Sequence, residues 1–100
     1  MNDCCKNPKD SQKLIELAEI LRVIAEPNRL KILCLLSSDV KCVCKIQDVL
    51  SLKQNLVSHH LKVLRDYELI TYEKKGQWKH YSLNKKNIKK YKSLFNKILT

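Results

Sequence analysis

The chain has 100 residues, with 20 Lys plus Arg against 10 Asp plus Glu and a formal charge of +10. That length fits one small domain, and the charge points to an anionic partner, nucleic acid before anionic membrane. No apolar run reaches the roughly 18 residues a membrane helix needs, and the polar start MNDCCKNPKD lacks an apolar signal region, so no membrane role and a cytoplasmic location are expected.

Residues 1–10 read as a flexible polar arm in which Cys4 and Cys5 stand side by side, and residues 11–100 as the domain. The segment SQKLIELAEILRVIA, residues 11–25, reads as a helix capped by Ser11. Leu14, Leu17, Ala18, Leu21 and Ala25 line one face, and Ile20 and Ile24 widen it. A stripe that wide exceeds one-sided burial and predicts packing on a second subunit as well. Pro27 suits the first position of a new helix. From Pro27 to Leu36, the residues Leu30, Ile32, Leu33, Leu35 and Leu36 predict a central core helix, with Cys34 as a small buried apolar residue. Ser37 to Lys41 reads as a short connection.

From Cys42 to Leu64 two short helices follow each other. Ile46, Val49 and Leu50 line the first and Val57, Leu61 and Leu64 the second, with Ser51-Leu52-Lys53 as a sharp turn. This is the helix-turn-helix pattern, whose second helix enters the DNA major groove. Around its start that helix offers Lys53, Gln54, Asn55, Ser58, His59 and Lys62, side chains that hydrogen-bond base edges or phosphates.

Ile70 to Glu73 and Trp78 to Leu83 are rich in β-branched and aromatic residues. Lys74-Lys75-Gly76-Gln77 links them, and Gly76 is the single glycine of the chain. A β-hairpin after a helix-turn-helix makes a winged helix. Lys74, Lys75 and Lys79 charge the wing, although for any one lysine a solvated hairpin tip is the plainer account. Asn84 caps a last helix lined by Ile88, Tyr91, Leu94, Phe95 and Ile98, with six lysines over the rest. The expected class is mainly α with a small β-hairpin, a winged helix-turn-helix flanked by N- and C-terminal dimerisation helices. No nucleophile–base pair or paired carboxylates stand out, and one glycine leaves no phosphate-cradling loop, so an enzyme is not expected.

EPNRLKILCLL, CVC, LVSHHLKVLRD and GQWKHYSLN, in that order, resemble the ArsR/SmtB family of metal-responsive winged-helix repressors over roughly residues 14–84. The resemblance implies a homodimer of three helices, a reader helix, a wing and a terminal helix. It implies binding to a pseudo-palindromic operator and release when metal binds. It places DNA contacts at Gln54, Asn55, Ser58 and His59 and a ligand pair at Cys42 and Cys44. The chain departs from the pattern at Gln47, where arsenic-type members often carry a third Cys, and at Ser51 and Glu68, where Gly is usual. Residues 84–100 hold no His, Cys, Asp or Glu, so the terminal-helix metal site of other members is absent.

Five cysteines without a signal region read as reduced thiols for metal or redox chemistry. Sulfur ligands favour soft ions such as Cd(II), Pb(II), As(III), Cu(I) or Zn(II). Residues two apart on a regular helix point about 200° from each other, so Cys42 and Cys44 share an ion only at a helix start. Such a start, with Lys41 and Lys45 alongside, favours thiolates. Zinc-like sites take about four ligands, so the missing sulfurs are expected from Cys4 and Cys5, as the resemblance to the cadmium- and lead-sensing branch implies, the plainer alternative being that the two are incidental residues of the arm. A thiol redox switch on the same scaffold is the alternative, and a metal-storage protein is disfavoured by the basic wing. His59 and His60 point about 100° apart and do not share an ion easily. His59 is assigned to DNA, His60 to packing and His80 to structure.

Overall fold

The computed structural model describes residues 8–99, with side chains from Ser11 onward. The elements run α1 (Pro8–Ile24), α2 (Pro27–Ser38), β1 (Lys41–Cys42), α3 (Val43–Leu50), α4 (Gln54–Asp66), β2 (Ile70–Lys75), β3 (Trp78–Leu83) and α5 (Lys85–Leu99). Cys4 and Cys5 lie outside the described residues.

Local chemistry sets most boundaries. Pro27 opens α2, and the Glu26 carboxylate caps it by accepting from the Arg29 amide at 3.0 Å. Ser51 closes α3 in a left-handed conformation at φ 52° and ψ 40°, its amide donating to the Gln47 carbonyl at 2.9 Å. Glu68, past the end of α4, has φ 58°. These are the two positions at which the family pattern calls for Gly, and the backbone there explains why. Asn84 caps α5, its Oδ1 accepting from the Asn87 amide at 3.4 Å.

The β structure is larger than a hairpin. β1 pairs antiparallel with β3, Lys41 opposite Tyr81 and Cys42 opposite His80, giving a three-stranded sheet in the order β1-β3-β2. The segment Ser37–Lys41, expected as a plain connection, thus ends by entering a strand. The wing strands also run further than expected, through Lys75 opposite Trp78, so that only Gly76-Gln77 remains as the turn. Gly76 takes φ 64° there, which a two-residue hairpin link demands.

The core draws on every layer: Ile20 and Val23 of α1, Ile32 and Leu36 of α2, Ile46 and Leu50 of α3, Val57, Leu61 and Leu64 of α4, with Leu69, Ile70 and Tyr81. Several sequence expectations need correction: α1 starts at Pro8, so Ser11 lies inside it and is not its cap, and Val49 of α3 is 49% exposed. On α1 the inward side is Leu17, Ile20 and Val23, while Ala18, Leu21 and Ala25 face outward. On α2 only Ile32 and Leu36 are buried, whereas Leu30 is 52% exposed and Cys34 is exposed, not part of the core. Leu30 and Cys34 share one face at i, i+4 spacing, and that face lies about 200° from the Ile32–Leu36 face.

α5 packs back on α1. The Lys90 ammonium and the Tyr91 hydroxyl both donate to Glu16 Oε1 at 3.0 Å. Tyr67, just past α4, donates from its hydroxyl to Glu19 Oε2 at 3.0 Å.

Candidate nucleic-acid interface and thiol pair

The second helix of the turn motif divides cleanly by face. Val57, His60, Leu61 and Leu64 of α4 are buried, and Gln54, Asn55, Ser58, His59 and Lys62 are exposed with Lys53 before them. An open groove of about 380 Å³ separates this face from the wing. Gln54, Ser58, Lys62, Arg65 and Lys79 line it over Val43, Leu61 and Tyr81. The fold thus joins Lys79 of the wing to the reader positions in one basic channel. Lys75 is set apart at the hairpin tip, beside the Gly76-Gln77 turn.

Two residues of this surface were not singled out in the sequence. Two cations approach the Tyr72 ring, Lys79 Nζ at 4.8 Å and Arg65 Cζ at 5.2 Å from its centroid. The ring holds both positive groups near the groove, a favourable cation–π arrangement. Cross-strand pairing decides this contact, and no local spacing could have revealed it. Lys62 is partly engaged already, its ammonium 2.8 Å from Asp66 Oδ2, and that bond holds the Asp66 carboxyl below its usual range.

Behind the reader face, His60 is buried at 9% exposure, as packing required. Arg29 Nε donates to its Nδ1 at 3.3 Å, and Glu26 Oε2 lies 3.7 Å away. Burial lowers the His60 pKa first; Glu26 opposes that shift, while Arg29 and His59 add to it. An imidazole that accepts at Nδ1 is neutral there.

The thiol pair sits where α3 begins. Cys42 is extended at φ −72° and ψ 151° and caps the helix, its Sγ accepting from the Cys44 amide at 3.2 Å. The Cα atoms are 5.4 Å apart and the sulfurs are joined as a disulfide, the oxidised form of the pair. Convergence of residues two apart was possible only at a helix start. Reduced, this donor set suits a soft ion and supplies two of the sulfurs such an ion takes. Among the described residues no group of three or more His, Cys, Asp or Glu side chains is arranged to hold a metal.

Residues 26–72 match the sequence profile described as "Bacterial regulatory protein, arsR family". The arsenical resistance operon repressor of Bacillus subtilis is 35% identical over 79 residues, covering 78% of this chain and 75% of that protein. The chain belongs to the ArsR family of bacterial regulatory proteins. The arsenical resistance operon repressor of Staphylococcus xylosus is 44% identical over 69 residues, or 69% of this chain, and the match spans 66% of that protein's length. Among solved structures, HlyU from Vibrio cholerae superposes with a TM-score of 0.72 at 29% identity, covering 92% of this chain and 97% of HlyU. As an ArsR-family member the chain is a winged-helix DNA-binding transcriptional regulator, not an enzyme. No helix among the described residues is long and apolar enough to cross a membrane.

Proposed function

We propose that the chain is a homodimeric cytoplasmic repressor. It reads a pseudo-palindromic operator with Lys53, Gln54, Asn55, Ser58, His59 and Lys62 and grips phosphates with Lys75 and Lys79. It releases the operator when a thiophilic ion, Cd(II), Pb(II), As(III) or Zn(II), is taken by Cys42 and Cys44. The carrying observation is the convergence of the two sulfurs at the N-terminus of α3, the helix packed against the reader helix. Kinship with arsenical resistance repressors supports a soft-ion effector. Cys4 and Cys5 complete the sulfur set. Each reader helix must meet one of two successive major grooves about 34–36 Å apart. A change at the head of α3 that tilts α4 therefore spoils both half-sites together, and a coupling of about 1–3 kcal/mol is ordinary.

The test is a titration with Cd(II), Pb(II) and As(III) under reducing conditions, followed by operator release. The parent chain should release DNA. Cys42→Ser and Cys44→Ser should bind DNA and hold it at every ion concentration, and loss of both Cys4 and Cys5 should weaken ion affinity. Release by Cys42→Ser at the parent's ion concentration would sink the reading.

A second reading is favoured by the disulfide itself. A peroxide could oxidise the reduced pair, two thiols giving up two electrons and two protons while the peroxide becomes water. The operator is then released by oxidation. Release by peroxide with no response to any ion selects this reading.

A further inference from the structure

Strand register puts the thiol pair in line with the wing. Cys42 stands opposite His80, and His80 stands opposite Glu73. The adjacent row runs Lys41, Tyr81, Tyr72. Tyr81 is buried at 5% exposure, and its ring lies 5.5 Å from that of Tyr72, which Arg65 of the reader helix covers. One row thus ties Cys42 to β3, and the next ties β3 to the reader helix.

Cys42 has two structural duties. It is the last residue of β1 and the cap of α3. A dithiol leaves the relative placement of the two sulfurs free, whereas a disulfide or a shared ion fixes it. β1 is only two residues long, so it has little length over which to absorb a shift of Cys42. Its ladder bonds to β3 resist breaking, because a lost bond leaves polar groups unsatisfied. A shift at Cys42 therefore moves β3, and β3 begins at the wing tip.

We propose that the wing reads the chemical state of the Cys42–Cys44 pair through the pairing of β1 with β3. The pair then controls the phosphate grip of Lys75 and Lys79 as well as the tilt of α4. This rests on the reading of the pair as the effector site.

Trp78 is the single tryptophan of the chain, stands at the start of β3 and is 49% exposed, so its emission reports on the wing alone. The experiment uses the full chain without DNA in three forms: dithiol, Cd(II)-loaded, and oxidised by stoichiometric hydrogen peroxide. In the last, two thiols become a disulfide and the peroxide becomes two waters. Relative to the dithiol, both other forms should shift Trp78 emission and change amide exchange along β3 by about fivefold or more. The Cys42→Ser, Cys44→Ser double variant should show neither change. A thiolate–Cd absorbance with an unchanged Trp78 and β3 would overturn the wing coupling and leave the sensor reading standing, since operator release in the ion titration above tests that reading separately. If no thiolate–Cd absorbance develops, the ion reading fails, and the peroxide form alone decides: an unchanged β3 there overturns the coupling, and a changed β3 sustains it.

Discussion

Ser51 and Glu68 hold left-handed backbone conformations with φ of 52° and 58°. A side chain in that region costs roughly 1–2 kcal/mol, against about 0.5–1 kcal/mol of extra chain entropy that glycine loses on folding. Ser51→Gly and Glu68→Gly should therefore each stabilise the fold by about 0.5–1 kcal/mol, read from urea midpoints at unchanged slope. His60 gives a pH signature. Its folded pKa lies below its ordinary value of about 6.5. The unfolded chain then takes up protons first as pH falls, so the His60 contribution is intact above about pH 6.5 and is lost as pH drops through the folded pKa. Thermal melts between pH 8 and 5 should show that loss, and His60→Gln should remove its share of it. Cys34 is exposed, so Cys34→Ser should change stability by no more than about 0.5 kcal/mol.

At the scale of elements, the proposed function divides the DNA contacts between α4 and the wing, and substitutions on each should act differently. Gln54→Ala, Ser58→Ala or His59→Ala should each weaken specific operator binding by about 1–3 kcal/mol per lost base contact while sparing random DNA. Lys75→Ala should weaken all sequences alike and lower the salt slope, as a phosphate contact does. Titrations on operator and scrambled duplexes at several salt concentrations separate the two. The reader face was legible because one helix carries it at 3.6-residue spacing. β1 was not, because two residues carry no period and its partner lies beyond α3, α4 and β2. The α1 stripe was legible but its direction was not: Leu17–Ile20–Val23 and Leu14–Ala18–Leu21–Ala25 are both apolar, and only the packing of α2 and α5 decides which turns inward. The Cys34 expectation failed for the same reason, since an all-apolar helix does not announce its buried side.

The described residues form an elongated body. Its principal extents are 49 × 22 × 20 Å and its radius of gyration is 15.4 Å, against about 13 Å for a compact domain of this length. The excess goes with apolar surface left open on its outer helices: Ile15 and Leu21 of α1 are 58% and 38% exposed, and Phe95 and Ile98 of α5 are 39% and 43% exposed. A second copy laid along these helices would cover them. Phe95→Glu or Ile98→Glu should yield a monomer in sedimentation that binds a half-site but loses the full operator. A dimer of either variant at micromolar concentration would move the interface elsewhere.

Among the described residues the strand order leaves β2 as an outer edge of the sheet, with one row of backbone N–H and C=O groups unpaired by any strand. An open edge of six residues can template pairing with the same edge of another molecule, the first step toward aggregation. Glu73, Lys74 and Lys75 stand along it, and Lys74 faces Lys79 across the ladder. The lysines along this edge therefore keep copies of the wing apart through like-charge repulsion. Replacing Lys74 and Lys75 by Val should produce light scattering that grows with protein concentration, and duplex DNA should not reverse it.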